Sequence, residues 1–261
     1  MSSDGQQGPA AYAPFVVRPH EQAIICGQAV NLWALIYSAK APELQPFEPF
    51  VSKDLDVLGN EESYANLRSL GIWSSCVLFK PKPGQPPLEV VGALRAMRPD
   101  GTEINVEIRR TVYGLKPAEL SRIADVEFNG EGYLIMEPHA CLKGKLANLA
   151  DIPQDRRQDG RHVQILTSCL RCYIEEIHDL AITGTIPAEH VQTLIRETSA
   201  VVRSTNALKA ATALNLNFGN VISKEILASP NEQIRGTALR ARASIEASLK
   251  NKQSQGQRLG L

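Results

Sequence analysis

The pattern of apolar and polar positions changes character near Pro138. Upstream, apolar residues come in short runs separated by turn formers. Ala23 to Cys26 predicts a short strand, followed by Gly27 and by Ala29, Leu32, Trp33 and Ile36 at helical spacing. Pro42, Pro46 and Pro49 then interrupt the chain, and FVSKDLDVLG predicts the next strand. NEESYANLRSLG predicts a helix that opens on a capping-type residue and closes at Gly71. From residue 75 to 136, VLFKP, LEVVGALRA, EINVEIRRTV, VEFNGEG and YLIMEP predict short strands. PKPGQPP, PDGT and NGEG supply turns between them, and PAELSRIAD predicts a short helical piece.

Downstream the period becomes helical. PHACLKGKLANLADI carries Leu142, Leu146 and Leu149 on one face, and HVQILTSCLRCYIEEIHDLAI is a long amphipathic stretch. Further helices are predicted near 187–204, 206–228 and 231–250, the last capped by Asn231 directly after Pro230. Residues 1–14 and 251–261 are rich in small and polar residues and are expected to be mobile. The expected plan is α+β: a small mixed sheet with flanking helices over 15–137, then a helical bundle over 138–250.

Composition narrows the function. With 28 basic and 28 acidic residues in 261, the formal charge is zero, so no global field draws the chain to nucleic acid or a membrane surface. Its five cysteines are an odd number in a long chain, which reads as reduced thiols and not as a disulfide framework. The N-terminus has neither a basic start nor an apolar core, and no apolar run reaches the ~18 residues of a membrane span. A cytoplasmic protein with no membrane partner is expected.

The feature that asks for chemistry is DLD. On a strand, Asp54 and Asp56 share a face, with Cα atoms about 6.5 Å apart. Like charges there repel, so something positive is expected between them. In INVEIRRTV, alternation separates Ile104, Val106 and Ile108 from Asn105, Glu107 and Arg109. If that strand neighbours the DLD strand, Glu107 joins the two aspartates as a third oxygen donor, a set suited to Mg²⁺ or Mn²⁺. The competing reading is a chance D-x-D at a strand end facing water. Gly27 at a helix start favours the first, because free N–H groups and the helix dipole attract phosphate.

ICGQAVNLWA, then SKDLDVLG, then VEIRRTVYGL together resemble the DNA-polymerase-β-like nucleotidyltransferase superfamily, over about residues 20–160. The similarity is nearest to bacterial nucleotidyltransferase-like proteins, a group that includes abortive-infection nucleotidyltransferase toxins. The resemblance implies a nucleotidyltransferase core in the mixed sheet and transfer of an NMP from an NTP to a hydroxyl of a protein, RNA or small molecule. It implies catalytic and metal-binding roles for Asp54, Asp56 and Glu107, with Mg²⁺ or Mn²⁺. Nucleotide contacts are implied for Gly27, Gln28 and Ser52, and for Lys143 and Lys145 on the basic helix PHACLKGKLANL. An NTP, an RNA or protein acceptor, and an antitoxin or other partner protein are the implied partners. Two departures stand out: Cys26 replaces the usual first glycine, and Glu107 replaces the more usual aspartate. They leave open an inactive module of the same fold that acts through a protein or nucleic-acid partner.

Other motifs read as structural. CLRC has zinc-like spacing but no second pair of ligands, since a structural zinc takes four. DRRQDGR reads as a solvated cap more than as a phosphate contact, and the arginines and lysines of the helical half read either as a basic face for an RNA end or as ordinary bundle faces.

Overall fold

The computed structural model describes residues 7–16, 22–82, 84–86, 88–98, 101–155 and 157–258, with side chains as far as Lys252. The chain divides into two compact units. One comprises Met1–Ile36 with Gln45–Gly144, and the other Tyr37–Leu44 with Lys145–Leu261.

In the first unit the elements run α1 (Ala13–Val16), β1 (Ala23–Ile25), α2 (Cys26–Tyr37), β2 (Asp54–Leu58), α3 (Glu61–Arg68), β3 (Ser75–Leu78), β4 (Val90–Met97), β5 (Glu103–Arg109), β6 (Ile123–Phe128) and β7 (Glu131–Met136). Helix α4 (Pro138–Asp151) follows, and the division between the units falls inside it, later than the boundary expected at Pro138. The seven strands form one mixed sheet in the order β3-β4-β5-β2-β1-β7-β6. β1 runs antiparallel to β2 and parallel to β7, and β2 runs parallel to β5.

One sheet face is apolar. Leu55 and Val57 on β2, Ile104, Val106 and Ile108 on β5 and Leu94 on β4 are essentially inaccessible. Burying each such side chain favours folding by roughly 1.5–3 kcal/mol. Helix α2 is buried along most of its length through Ala29, Val30, Leu32, Trp33 and Ala34, as expected of a helix apolar on nearly every side. The Trp33 indole N–H donates to the Met136 carbonyl at 2.8 Å, tying α2 to β7. Asn60 caps α3 by accepting from the Glu62 and Ser63 amides, as its sequence predicts. Gly92 on β4 permits a close approach: a Cβ there would lie 2.6 Å from the Tyr64 ring and 2.7 Å from the Val77 carbonyl oxygen. The NGEG turn closes the β6–β7 hairpin through Asn129 (φ 52°) and Gly130 (φ 80°), the left-handed pair that a tight two-residue hairpin loop uses.

Residues 7–14, expected to be mobile, are ordered. Gln7 pairs with Ser52 through two backbone hydrogen bonds of 2.8 and 2.9 Å, and Tyr12 is buried. The backbone pairing of Gln7, the Gln28 side chain on the Gln7 carbonyl and the buried Tyr12 together anchor it, while residues 1–6 lie outside the described residues. PAELSRIAD is helical only as the short 3₁₀ helix Pro117–Glu119, and its last residues, from Ile123, enter β6.

The second unit is helical: α5 (Asp159–Ile182), α6 (Ala188–Val202), α7 (Thr205–Ala213), α8 (Lys224–Leu227) and α9 (Glu232–Arg258). Val163, Leu166, Cys169, Leu170 and Ile174 form the buried stripe of α5, so the cysteines of CLRC are core thiols. The stretch 206–228, expected as one helix, is broken. Asn215 adopts φ 52° and the Asn217 side chain accepts from the Gly219 amide, ending α7 before a 3₁₀ turn and the short α8. Asn231 caps α9 through the Gln233 and Ile234 amides at 3.0 and 3.1 Å, as expected. α9 runs to Arg258, beyond the expected end at 250, and 259–261 lie outside the described residues. Among the described residues no helix is long and apolar enough to cross a membrane.

A buried ion pair ties α4 to the start of α5. Lys145 Nζ lies 3.0 Å from Asp159 Oδ1, and Arg157 Nε lies 2.6 Å from Oδ2. Burial works to raise the Asp159 pKa, but Lys145 and Arg157 win and hold it below the ordinary aspartate value of 3.8. A depressed pKa contributes stability above the unfolded value that is lost as pH falls through the folded one. Lys145→Met should therefore cost about 3 kcal/mol at neutral pH, and the deficit should shrink as pH drops below 3.8, measured by urea denaturation across pH. A variant as stable as the parent at pH 7 would show that the pair contributes no net stability.

Candidate functional site

Strand register builds the site. Ile25 lies opposite Asp56 across the β1–β2 ladder. In the parallel β2–β5 ladder, Asp54 lies opposite Asn105 and Asp56 opposite Glu107. Side chains opposite one another share a face. Asp54, Asp56, Asn105, Glu107 and Arg109 are half-buried on the face away from the packed aliphatic residues. The sequence expectation that Glu107 joins the aspartates is thus met at the level of the backbone.

The positive charge between them is Arg109. Its Nε lies 2.5 Å from Asp56 Oδ1 and its Nη2 lies 2.6 Å from Glu107 Oε2, so one guanidinium bridges the two carboxylates. Burial works to lower the Arg109 pKa, yet the field of Asp56 and Glu107 holds it above its ordinary value. Asp54 is left with less compensation. Burial first, then the charges of Asp56 and Glu107, raise its pKa, against the smaller pull of Lys53 and Arg109. Among the described residues no group of three or more His, Cys, Asp or Glu side chains is arranged to hold a metal ion.

At the end of β1 the chain enters α2 with no intervening loop. Cys26 makes the turn at φ 57°, in the left-handed region that favours glycine. A residue with a Cβ pays about 1–2 kcal/mol there. Gly27 and Gln28 follow in the buried first turn of the helix, beside the strand that carries Asp56.

The remaining candidates have partners. Gln28 Nε2 donates to the Gln7 carbonyl at 2.9 Å and its side chain also meets the Tyr12 hydroxyl. The Tyr12 hydroxyl donates to the Lys53 carbonyl at 3.2 Å. Burial and the nearby Asp54 charge push its pKa up to about 12, so it remains protonated. Ser52 is held through its backbone by Gln7. Lys143 Nζ is gripped by both Glu119 oxygens at 2.6 and 2.7 Å. Lys145 is committed to Asp159 within the helical unit. The structure thus brings together Asp54, Asp56, Glu107 and the α2 start, and gives each lysine its own carboxylate. Sequence reading did not single out Arg109 or Tyr12. Arg109 shares the parity of Glu107 in an alternating strand, the one signal that could have marked it; Tyr12 sits in a stretch whose composition pointed to disorder.

Comparison of the chain with protein-family models and with curated proteins returns no match.

Two substitutions probe the local energetics. Cys26→Gly should stabilise the protein by roughly 1 kcal/mol, read as a higher thermal midpoint, because it removes the Cβ from a left-handed residue. Asp54 has a raised folded pKa, so its ionisation disfavours folding at neutral pH and has no effect once both states are protonated. Asp54→Asn should raise the midpoint at pH 7, with the gain fading as pH falls through the raised folded pKa and gone below the unfolded value of 3.8. A gain independent of pH would refute the electrostatic explanation.

Proposed function

We propose that the chain is a metal-dependent nucleotidyltransferase that moves an NMP from an NTP to a hydroxyl of a protein, RNA or small molecule. The observation that carries this reading is the parallel register that sets Glu107 beside Asp56, next to the strand leading into the Cys26–Gly27 helix start. The chemistry of the donor set, three hard carboxylates on one face, is that of Mg²⁺ or Mn²⁺, although the described side chains are not arranged around an ion while Arg109 bridges two of them. Burial, then the charges of Asp56 and Glu107, raise the Asp54 pKa. A divalent ion held by Asp54, Asp56 and Glu107 would supply Lewis-acid and charge-neutralising chemistry for phosphoryl transfer.

The chain's own residues would do the rest. The amides in the first turn of α2 orient phosphate oxygens, helped by the helix dipole. Glu107, at the far side of Asp56 from that helix, accepts the proton of the acceptor hydroxyl. Arg109 neutralises Asp56 and Glu107 in the resting protein and would have to give them up for those carboxylates to hold a divalent ion. Nucleotide contacts from Gln28 or Lys143 require each to exchange the partner it now holds, while Lys145 belongs to the helical unit and is held there by Asp159. The reading goes with a cytoplasmic location, where NTPs are found.

The Arg109 bridge also favours a second reading. If the guanidinium is never displaced, the domain is an inactive nucleotidyltransferase-type module that acts through a protein or nucleic-acid partner, an antitoxin among them. Calorimetric titration with each NTP, with and without Mg²⁺, separates the two. The enzyme reading expects Mg²⁺-dependent binding that disappears in Asp54→Ala/Asp56→Ala. Absence of binding to every NTP favours the module. Arg109→Gln supplies a further check: with the resident cation gone, Mg²⁺ alone should raise the thermal midpoint more in the variant than in the parent. An equal rise in both would mean that Arg109 does not compete for the site.

A further inference from the structure

Several exposed apolar side chains lie at one end of the sheet. β3 is the terminal strand, paired on one side only, with β4. All four of its residues are exposed, so neither of its faces is covered. Val77 is 45% and Leu78 37% exposed, and Ile72, Phe79, Leu88 and Met97 nearby are each between 39% and 56% exposed. A strand edge with free backbone groups and apolar side chains is a template for another strand, which proteins ordinarily blunt. Nothing blunts this one within Ile72–Phe79, which has no charged residue and no proline.

The charges around the edge select the partner. The stretch 68–103 carries Arg68, Lys80, Lys82, Arg95 and Arg98 against Glu89, Asp100 and Glu103. The five cations are all exposed, and among the described residues none forms an ion pair. Arg95 lies opposite Ser75 in the ladder, immediately beside the edge strand. A second copy of this chain would bring like charges to the same edge. An acidic segment would meet cations on both sides of an apolar strip.

We propose that the β3 edge is a docking site for an extended segment of another protein in which apolar and acidic residues alternate. The segment adds as an eighth strand beside β3. Its backbone pairs with the free edge, its apolar side chains lie on the face of Val77 and Phe79, and its carboxylates, on the opposite face, meet the exposed Lys80 and Lys82. This site is separated from Asp56 by β4 and β5, so it holds a partner whether or not the carboxylates catalyse a reaction.

The test uses the full chain and two synthetic octapeptides, one alternating valine with glutamate and one alternating valine with lysine. Backbone hydrogen exchange is followed at residues 75–79. Saturating Val/Glu peptide should slow the outward-facing amides about tenfold at ten times its Kd, with no change from Val/Lys peptide. The exposed variant Lys80→Glu/Lys82→Glu, checked for an unchanged thermal midpoint, should reverse the preference. Three outcomes overturn the proposal: no protection by the acidic peptide, equal protection by both peptides, and protection that grows with protein concentration in the absence of peptide. The last would mean that a second copy covers the edge.

Discussion

Two like charges held on one face of adjacent strands must be compensated, and much of the first unit is arranged around that requirement. Asp56 and Glu107 are brought side by side by a parallel register that cannot slip by one residue without turning Leu55, Val57, Ile104 and Ile108 out of the core. The aliphatic face thereby enforces an electrostatic cost on the other face. Arg109 meets it by sitting two residues beyond Glu107, where the strand period returns its side chain to the same face. The result pairs Asp56 and Glu107 through Arg109, while burial and the charges of those two carboxylates raise the Asp54 pKa.

The same constraint shapes the neighbourhood. β1 is short and passes straight into α2, so the turn falls on Cys26 in a conformation better suited to glycine. Backbone strain of this kind persists where the surroundings over-determine it, and it concentrates at functional sites. Trp33, bonded to the Met136 carbonyl, holds α2 along β7. The helix start therefore has a fixed position relative to the carboxylates. On the open side, the N-terminal segment lies along Ser52 and Lys53 and places the buried Tyr12 near Asp54. That closes one approach to the carboxylates and makes residues 7–16 part of the site's surroundings.

Charge pairing also decides the fate of the lysines. Lys143 and Lys145 are two residues apart on one helix, and each has found a carboxylate, Glu119 and Asp159 respectively. The pair of Lys145 is buried and hydrogen-bonded, where loss of one partner leaves an uncompensated charge. The pair of Lys143 is half-exposed and costs less to exchange. Of the two, Lys143 is the easier to recruit to a ligand.

The amino-acid sequence by itself determined the division into a strand-rich half and a helical half, because side-chain period is a local property. It determined the Asn60 and Asn231 caps and the NG hairpin turn for the same reason: a few adjacent residues satisfy or bend their own backbone. It also placed Asp54 with Asp56, and Glu107 with Arg109, on common strand faces. Only the tertiary structure decided that those two strands are neighbours, that their register is Asp56 against Glu107, and that the compensating cation is Arg109. Strand order and register depend on which aliphatic faces pack together across long sequence separations, and no local pattern encodes that. The ordering of residues 7–14 and the break within 206–228 were hidden likewise. The first hangs on the backbone pairing of Gln7 and on Tyr12 finding a burial site beside β2, and the second on Asn215 taking a left-handed conformation that lets Phe218 and Val221 reach the core.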